Sequence, residues 1–179
     1  FDGDNYVDLE SVPELAGPSS ISVGAWIYPE TLSTEKYEPI IGNWEWGEGG
    51  WLLRVDKVDN ELMFYVVDGG NYQTATCGTI IQEQWQYVAG TWDGENIKCY
   101  IIYDTSFISG SKEADTISDS SKNVFIGYSE TNLIDNLFDG IIDEIKIYNK
   151  ALTEDEVEAL FLHYETPGPT VECPIDEGP

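Results

Sequence analysis

Positive charge is what this chain most lacks. Eight Lys and Arg stand against 34 Asp and Glu, a formal net charge of −26. With no cationic face to release counterions from phosphates, nucleic acid is excluded as a partner and anionic membranes are disfavoured. Cysteine is scarce too: three residues are too few for a disulfide scaffold, and an odd number leaves at least one thiol free or joined to another molecule. No apolar run reaches the length of a membrane span, so no membrane insertion is expected, and no signal-peptide pattern is present. The chain has one His, no nucleophile elbow and no phosphate-cradling loop. Without an Asn-x-Ser/Thr sequon, N-glycosylation by that signal is not expected.

What is present is aromatic and acidic. Six Trp and eleven Tyr lie in 179 residues, enough chain for one well-buried core. Flat side chains at this density suit pleated surfaces. The acidic surplus keeps the protein soluble but strains its compact state by self-repulsion. Salt, divalent cations or an acidic medium would relieve that strain, whereas a merely solvated acidic surface needs no such help.

Short alternating runs separated by turn residues fill most of the chain. Ile21 to Pro29 places Ile21, Val23, Ala25 and Ile27 on one strand face, and Pro29 ends it because proline supplies no ladder donor. Trp51–Val55 and Glu61–Val67 read as antiparallel neighbours. Trp85–Trp92 and Asn96–Ile102 flank Asp93-Gly94, a strong hairpin signal. The stretch from Asp104 to Lys122 reads as polar loop with one weak strand. Ile141 to Ile147 alternates so that Ile141, Asp143, Ile145 and Ile147 share a face, which sets a carboxylate among core isoleucines. The preceding Phe138-Asp-Gly repeats Phe1-Asp-Gly3, and this repeat predicts neighbouring first and last strands with two acidic turns brought together.

Thr153 and Glu156 form a capping box ahead of an apolar stripe of Val157, Leu160, Phe161 and Tyr164, which predicts one helix. After it, half of the prolines crowd the last fifteen residues. The expected organisation is an all-β, two-sheet antiparallel sandwich over residues 1–164 with one short C-terminal helix, then an extended proline-rich tail over 165–179. An extended tail can dock along a sheet edge of its own sandwich or of a neighbouring copy, and the latter would build a filament.

Five motifs in order carry a family resemblance: Phe1-x-Gly3 with Tyr6-Val7, Ile21-x-Val-x-Ala-Trp-Ile-x-Pro29, Trp85-x-Tyr-Val-Ala-Gly-Thr-Trp-Asp-Gly94, Asn123-Val-x-Ile-Gly127, and Phe138-x-Gly through Ala-Leu-Thr153. Together the chain resembles the LamG-like (laminin G/pentraxin-type) jelly roll of the concanavalin A-like group, from Phe1 to about Leu162. The resemblance implies two antiparallel sheets, an extracellular or cell-surface setting and, often, a calcium ion. The fold hosts adhesion modules, lectins, sugar-binding modules and some glycosidases, so it does not by itself name a function.

Four expectations about chemistry follow. A calcium ion would use Asp143 with oxygens of the Asp2-Gly3-Asp4-Asn5 turn, because calcium takes six to eight oxygens; the alternative is Asp143 held by backbone amides of that turn with no ion. Catalysis is not expected: Glu45-Trp-Gly-Glu48 has the wrong period for two carboxylates on one strand face, and Asp143-Glu144 are adjacent. Trp44, Trp46, Trp51 and Tyr72 around a glycine-rich loop are candidates to stack on sugars, against the reading that Trp44 and Trp51 are packing. Cys99, between Ile97 and Ile101 on a core face, reads as a buried thiol. That leaves Cys77 and Cys173 as disulfide partners, with three free thiols as the alternative. The expected function is a non-catalytic extracellular module acting in adhesion or self-assembly, with other copies or cell-surface molecules as partners; the alternative is a carbohydrate-binding module taking glycans.

Overall fold

The computed structural model describes residues 1–44, 48–68, 70–104, 106–114, 116–130 and 135–165, so Trp46, Cys173 and the rest of the tail lie outside it. Two antiparallel sheets enclose one core. The first runs β1 (Val7–Asp8), β10 (Phe125–Ile126), β3 (Glu38–Gly42), β4 (Trp51–Val55), β5 (Glu61–Asp68), β6 (Asn71–Thr79). The second runs β13 (Gly140–Tyr148), β2 (Ile21–Pro29), β7 (Gln86–Trp92), β8 (Asn96–Tyr103), β9 (Ser106–Glu113). A small hairpin of β11 (Tyr128–Glu130) and β12 (Asp135–Leu137) is set against β3. This is the expected concanavalin A-like jelly roll.

The core is built by alternation. Ile21, Val23, Ala25 and Ile27 of β2 face Trp51, Leu53 and Val55 of β4 and Leu62, Phe64 and Val66 of β5, all buried in one cluster. The turn between β7 and β8 is closed by Asp93, whose carboxylate accepts the N–H of Glu95 at 2.9 Å and of Asn96 at 2.7 Å, while Gly94 supplies a φ of +97°. Helix α1 (Glu154–Glu165) begins at the capping box: Thr153 Oγ1 accepts the Glu156 N–H at 3.3 Å, and the Glu156 carboxylate accepts the Thr153 N–H at 2.9 Å. Its Val157 and Phe161 pack with Tyr87, Ala89, Tyr100 and Ile102 on the outer face of the five-stranded sheet. One face of the sandwich is therefore covered by the helix.

Three expectations need correction. Ser106–Glu113 is a full eight-residue edge strand where only one weak strand within a polar loop was expected; Ile108 packs on the core and Phe107 on Tyr100, and the rest is small or polar, so the hydrophobic period is short. Cys99 is buried as expected but is not a thiol, because it is disulfide-bonded to Cys77 across a Cα–Cα distance of 5.9 Å. Cys77 and Cys99 belong to opposite sheets. The edges of those sheets approach so closely that a Cβ on Gly110 of β9 would fall 1.9 Å from the Thr76 carbonyl oxygen of β6. The pairing of Cys77 with Cys173 is thereby replaced.

The third correction is Asp143. Strand β13 pairs Asp143 with Trp26 and Lys146 with Gly24, so one extra residue is inserted between them, and Glu144 takes a φ of +48°. Strict alternation from the inward Ile142 would have sent Glu144 into the core. The bulge shifts the period, so that Ile142, Ile145 and Ile147 pack inward while Ile141 (44% exposed) and Asp143 face outward. The bulge thereby keeps a carboxylate out of the core.

Candidate functional site

The sheet face opposite the helix carries the candidate site. Because Trp51, Leu53 and Val55 point inward, Leu52 and Arg54 point outward, and the register sets Tyr65 opposite Leu52, Met63 opposite Arg54 and Tyr72 opposite Val67. The Arg54 guanidinium carbon lies 3.7 Å from the ring centroid of Tyr37, 4.1 Å from that of Tyr65 and 5.9 Å from that of Trp44. Tyr72 extends the row, its ring 6.0 Å from that of Trp44.

Each ring is fixed by the backbone around it. The Tyr37 N–H donates to Asn136 Oδ1 at 3.2 Å, tying it to β12. Trp44 follows Asn43, whose side chain donates to the Leu15 carbonyl at 2.8 Å and accepts the Trp51 N–H at 3.1 Å. Trp44 then packs on Leu52 and Val67, with Tyr65 alongside. The Tyr65 hydroxyl donates to Met63 Sδ at 2.8 Å, and burial pushes its pKa up, opposed by the nearby guanidinium. Ring faces beside a cation and hydroxyls can take an apolar sugar face while bonding its hydroxyl edge.

Of the aromatic residues named from sequence, two lie here. Tyr72 is 36% exposed and Trp44 is nearly buried at 7%. Trp51 is fully buried, its indole N–H donating to the Leu15 carbonyl at 2.9 Å, so it is a core residue and not a ligand contact. Trp46 lies outside the described residues. Arg54, Tyr37 and Tyr65 were missed, although a single arginine inside the apolar strand Trp51–Val55 was a visible signal.

The acidic rim differs from the expected calcium set. Asp2 pairs with Asp139 in a β-bridge, the Phe1 ammonium donates to the Gly140 carbonyl at 2.8 Å, and the Gly140 N–H returns to Phe1 O at 3.0 Å. The two Phe-Asp-Gly segments do meet, but the carboxylate brought to the turn is Asp139, which accepts a hydrogen bond from Thr31. Asp143 lies farther along β13 on the outward face and accepts the Glu144 N–H at 2.8 Å. Asp4 and Asp2 share a hydrogen bond that raises the Asp4 pKa and lowers that of Asp2, and Asn5 donates to Asp2 at 2.5 Å. Among the described residues, no three His, Cys, Asp or Glu stand together to hold a metal.

A buried acid lies beside this rim. Glu38, 3% exposed at the start of β3, accepts the Ser33 N–H at 3.3 Å and the Asp139 N–H at 3.2 Å. Burial is the main cause that pushes its pKa up to about 7, and Asp139 adds to it.

Solved structures with the same sandwich bind different things. Domain 4 of the extracellular arabinanase AbnA from Geobacillus stearothermophilus, in complex with arabinotriose, matches at a TM-score of 0.67 and 24% identity over 89% of this chain and 74% of that one. The CBM40 of the Ruminococcus gnavus IT-sialidase, bound to α2,3-sialyllactose, matches at 0.71 and 16% over 89% and 93%. Domains LG4-5 of the mouse laminin α1 chain match at 0.65 and 15%, covering 87% of this chain, which spans 44% of that fragment. Likeness at these identities shows the fold alone. No curated protein matches the chain in sequence. The laminin G 3 family model, of the concanavalin A-like lectin/glucanases superfamily, matches residues 1–158. The chain belongs to that family.

Proposed function

We propose that this protein is a non-catalytic extracellular module that binds glycans on the outer face of its six-stranded sheet. The observation that carries this reading is the row of Tyr37, Tyr65, Trp44 and Tyr72 rings about Arg54, on the face left free by the helix. The structural neighbours that hold arabinotriose and sialyllactose support it as analogues of fold. Among the described residues, the strand positions beside Arg54 are Leu52, Met63 and Tyr65, which offer contact surface. Adhesion through cell-surface glycans is compatible with such a face. Self-assembly through the tail falls outside the described residues.

A glycan array probed with the intact chain tests the reading. Binding to a restricted set of sugars is expected, and Tyr72→Ala together with Tyr65→Ala should remove it. Uniform silence across the array, or binding untouched by both substitutions, would reject the site.

A further inference from the structure

Arg54 is the only arginine in the 179 residues. In a chain with 34 carboxylates a guanidinium has many acids to pair with, yet among the described residues the groups found around this one are rings, at 3.7, 4.1 and 5.9 Å. An aromatic face attracts a cation through its quadrupole but accepts no strong hydrogen bond. The rings therefore hold the charge without using up its donors. The residue is 6% exposed, and its Nε–H has no hydrogen-bond partner among the described residues. The Tyr65 hydroxyl, within bonding reach of the guanidinium, is the polar side chain in contact with it. A buried N–H left without an acceptor is costly, and native proteins keep few of them. A guanidinium presents its N–H groups in a fixed planar fork, and such a fork matches the two oxygens of one carboxylate. A second cation is close, since Lys57 Nζ lies 4.9 Å from the same Tyr37 ring.

We infer that Arg54 reads a carboxylate on the bound glycan, so that the preferred ligand carries an acidic sugar. The inference rests on the glycan-binding reading above and names the class of ligand for that site. Net charge narrows the class further. A protein at −26 repels polyanions, but at physiological salt the repulsion is screened beyond about 8 Å. One carboxylate on an otherwise neutral chain is tolerated on approach, and a polysulfated chain is not. The fork is also lost if lysine replaces arginine, because an ammonium is a point charge without fixed geometry.

Calorimetric titration of the intact chain decides this. The probes are oligosaccharides ending in a uronic acid, oligosaccharides ending in sialic acid, the carboxyl methyl ester of each, and a sulfated oligosaccharide. At least one of the two acids should bind tenfold or more tightly than its ester, and whichever does so identifies the source of the carboxylate. Arg54→Lys should reduce that preference several-fold and Arg54→Gln should abolish it. The acid-to-ester comparison on the unaltered protein needs no variant to fold. Equal affinity for acids and esters overturns the inference and leaves the glycan reading standing. Tighter binding of the sulfated probe, or a preference that survives Arg54→Gln, also overturns it. No binding to any probe overturns the inference, and the glycan array then decides separately on the reading it rests on.

Discussion

Glu38 accepts the backbone N–H of Asp139 at 3.2 Å from a position that is 3% exposed, so one buried carboxyl joins β3 to the entry of β13. The same carboxyl accepts the Ser33 N–H at 3.3 Å and thereby also holds the loop before β3. Asp139, in turn, is bridged to Asp2. Three segments of one rim therefore meet at a group whose charge burial disfavours.

That charge gives a signed pH dependence. The Glu38 pKa is raised from 4.5 to about 7 in the folded protein, so the folded state holds a proton that the unfolded chain releases. Stability from this group is greatest below about 4.5 and is lost as pH rises to about 7, by an amount on the order of 3 kcal/mol. Glu38→Gln keeps the shape and removes the titration. In chemical denaturation, the difference in stability between Glu38→Gln and the unaltered protein should grow in favour of the variant from pH 4.5 to 7.5 and then level off. A difference that stays flat across this range would contradict the buried-acid assignment.

Elements bounded by strong local signals were legible in the sequence. Strand β2 ran to Pro29 as expected, and Asp93-Gly94 closed the β7–β8 hairpin. The repeat of Phe-Asp-Gly foretold the meeting of the two acidic turns, now seen as the Asp2–Asp139 bridge, but the first and last strands are not neighbours, because β1 pairs with β10 in one sheet and β13 with β2 in the other. The bulge at Glu144 was not legible, because an inserted residue leaves an apparently continuous alternation while reversing its faces. Cysteine pairing was hidden for another reason. Cys77 and Cys99 are 22 residues apart on opposite sheets, and only the packing of those sheets brings them together. At the candidate site, Tyr72 and Trp44 were named, but Tyr37, Tyr65 and Arg54 come together only through strand register.

The Cys77–Cys99 bond should be visible directly. Non-reducing peptide mapping is expected to recover a Cys77–Cys99 linked pair, and a Cys77–Cys173 pair would contradict the fold described here. Closing a loop of 22 residues limits the unfolded chain by about 3 kcal/mol on the chain-entropy account. The double variant Cys77→Ala/Cys99→Ala should lose stability of that order in chemical denaturation. A change below about 1 kcal/mol would show that the bridge adds little beyond its packing.

Asp143 offers a test of calcium. Since its carboxylate is exposed and bonded to the Glu144 N–H, Asp143→Asn should shift stability by no more than about 0.5 kcal/mol. The melting curves of this variant and the unaltered protein should respond identically to calcium and to chelator. If Asp143→Asn instead abolished a calcium-dependent rise in Tm, Asp143 would be a calcium ligand acting from its outward position.

Trp51 and Tyr72 separate packing from binding. Trp51 is fully buried in the core, and Trp51→Ala would leave a large cavity and cost about 3–5 kcal/mol. Loss of glycan binding in that variant would report unfolding and nothing about the site. Tyr72 is 36% exposed, with its ring 6.0 Å from Trp44 at the end of the aromatic row. Its removal empties a surface position, so the Tm should barely move. If the ring stacks on a sugar, Tyr72→Ala should weaken binding about tenfold, near 1.4 kcal/mol, and Tyr72→Phe should retain most of the affinity because the ring is kept. Titrating both variants against whichever glycan the array returns checks this. Equal affinity in Tyr72→Ala and the unaltered protein would move the binding surface away from this row, while Tyr72→Phe behaving like Tyr72→Ala would assign the contact to the hydroxyl and not to the ring.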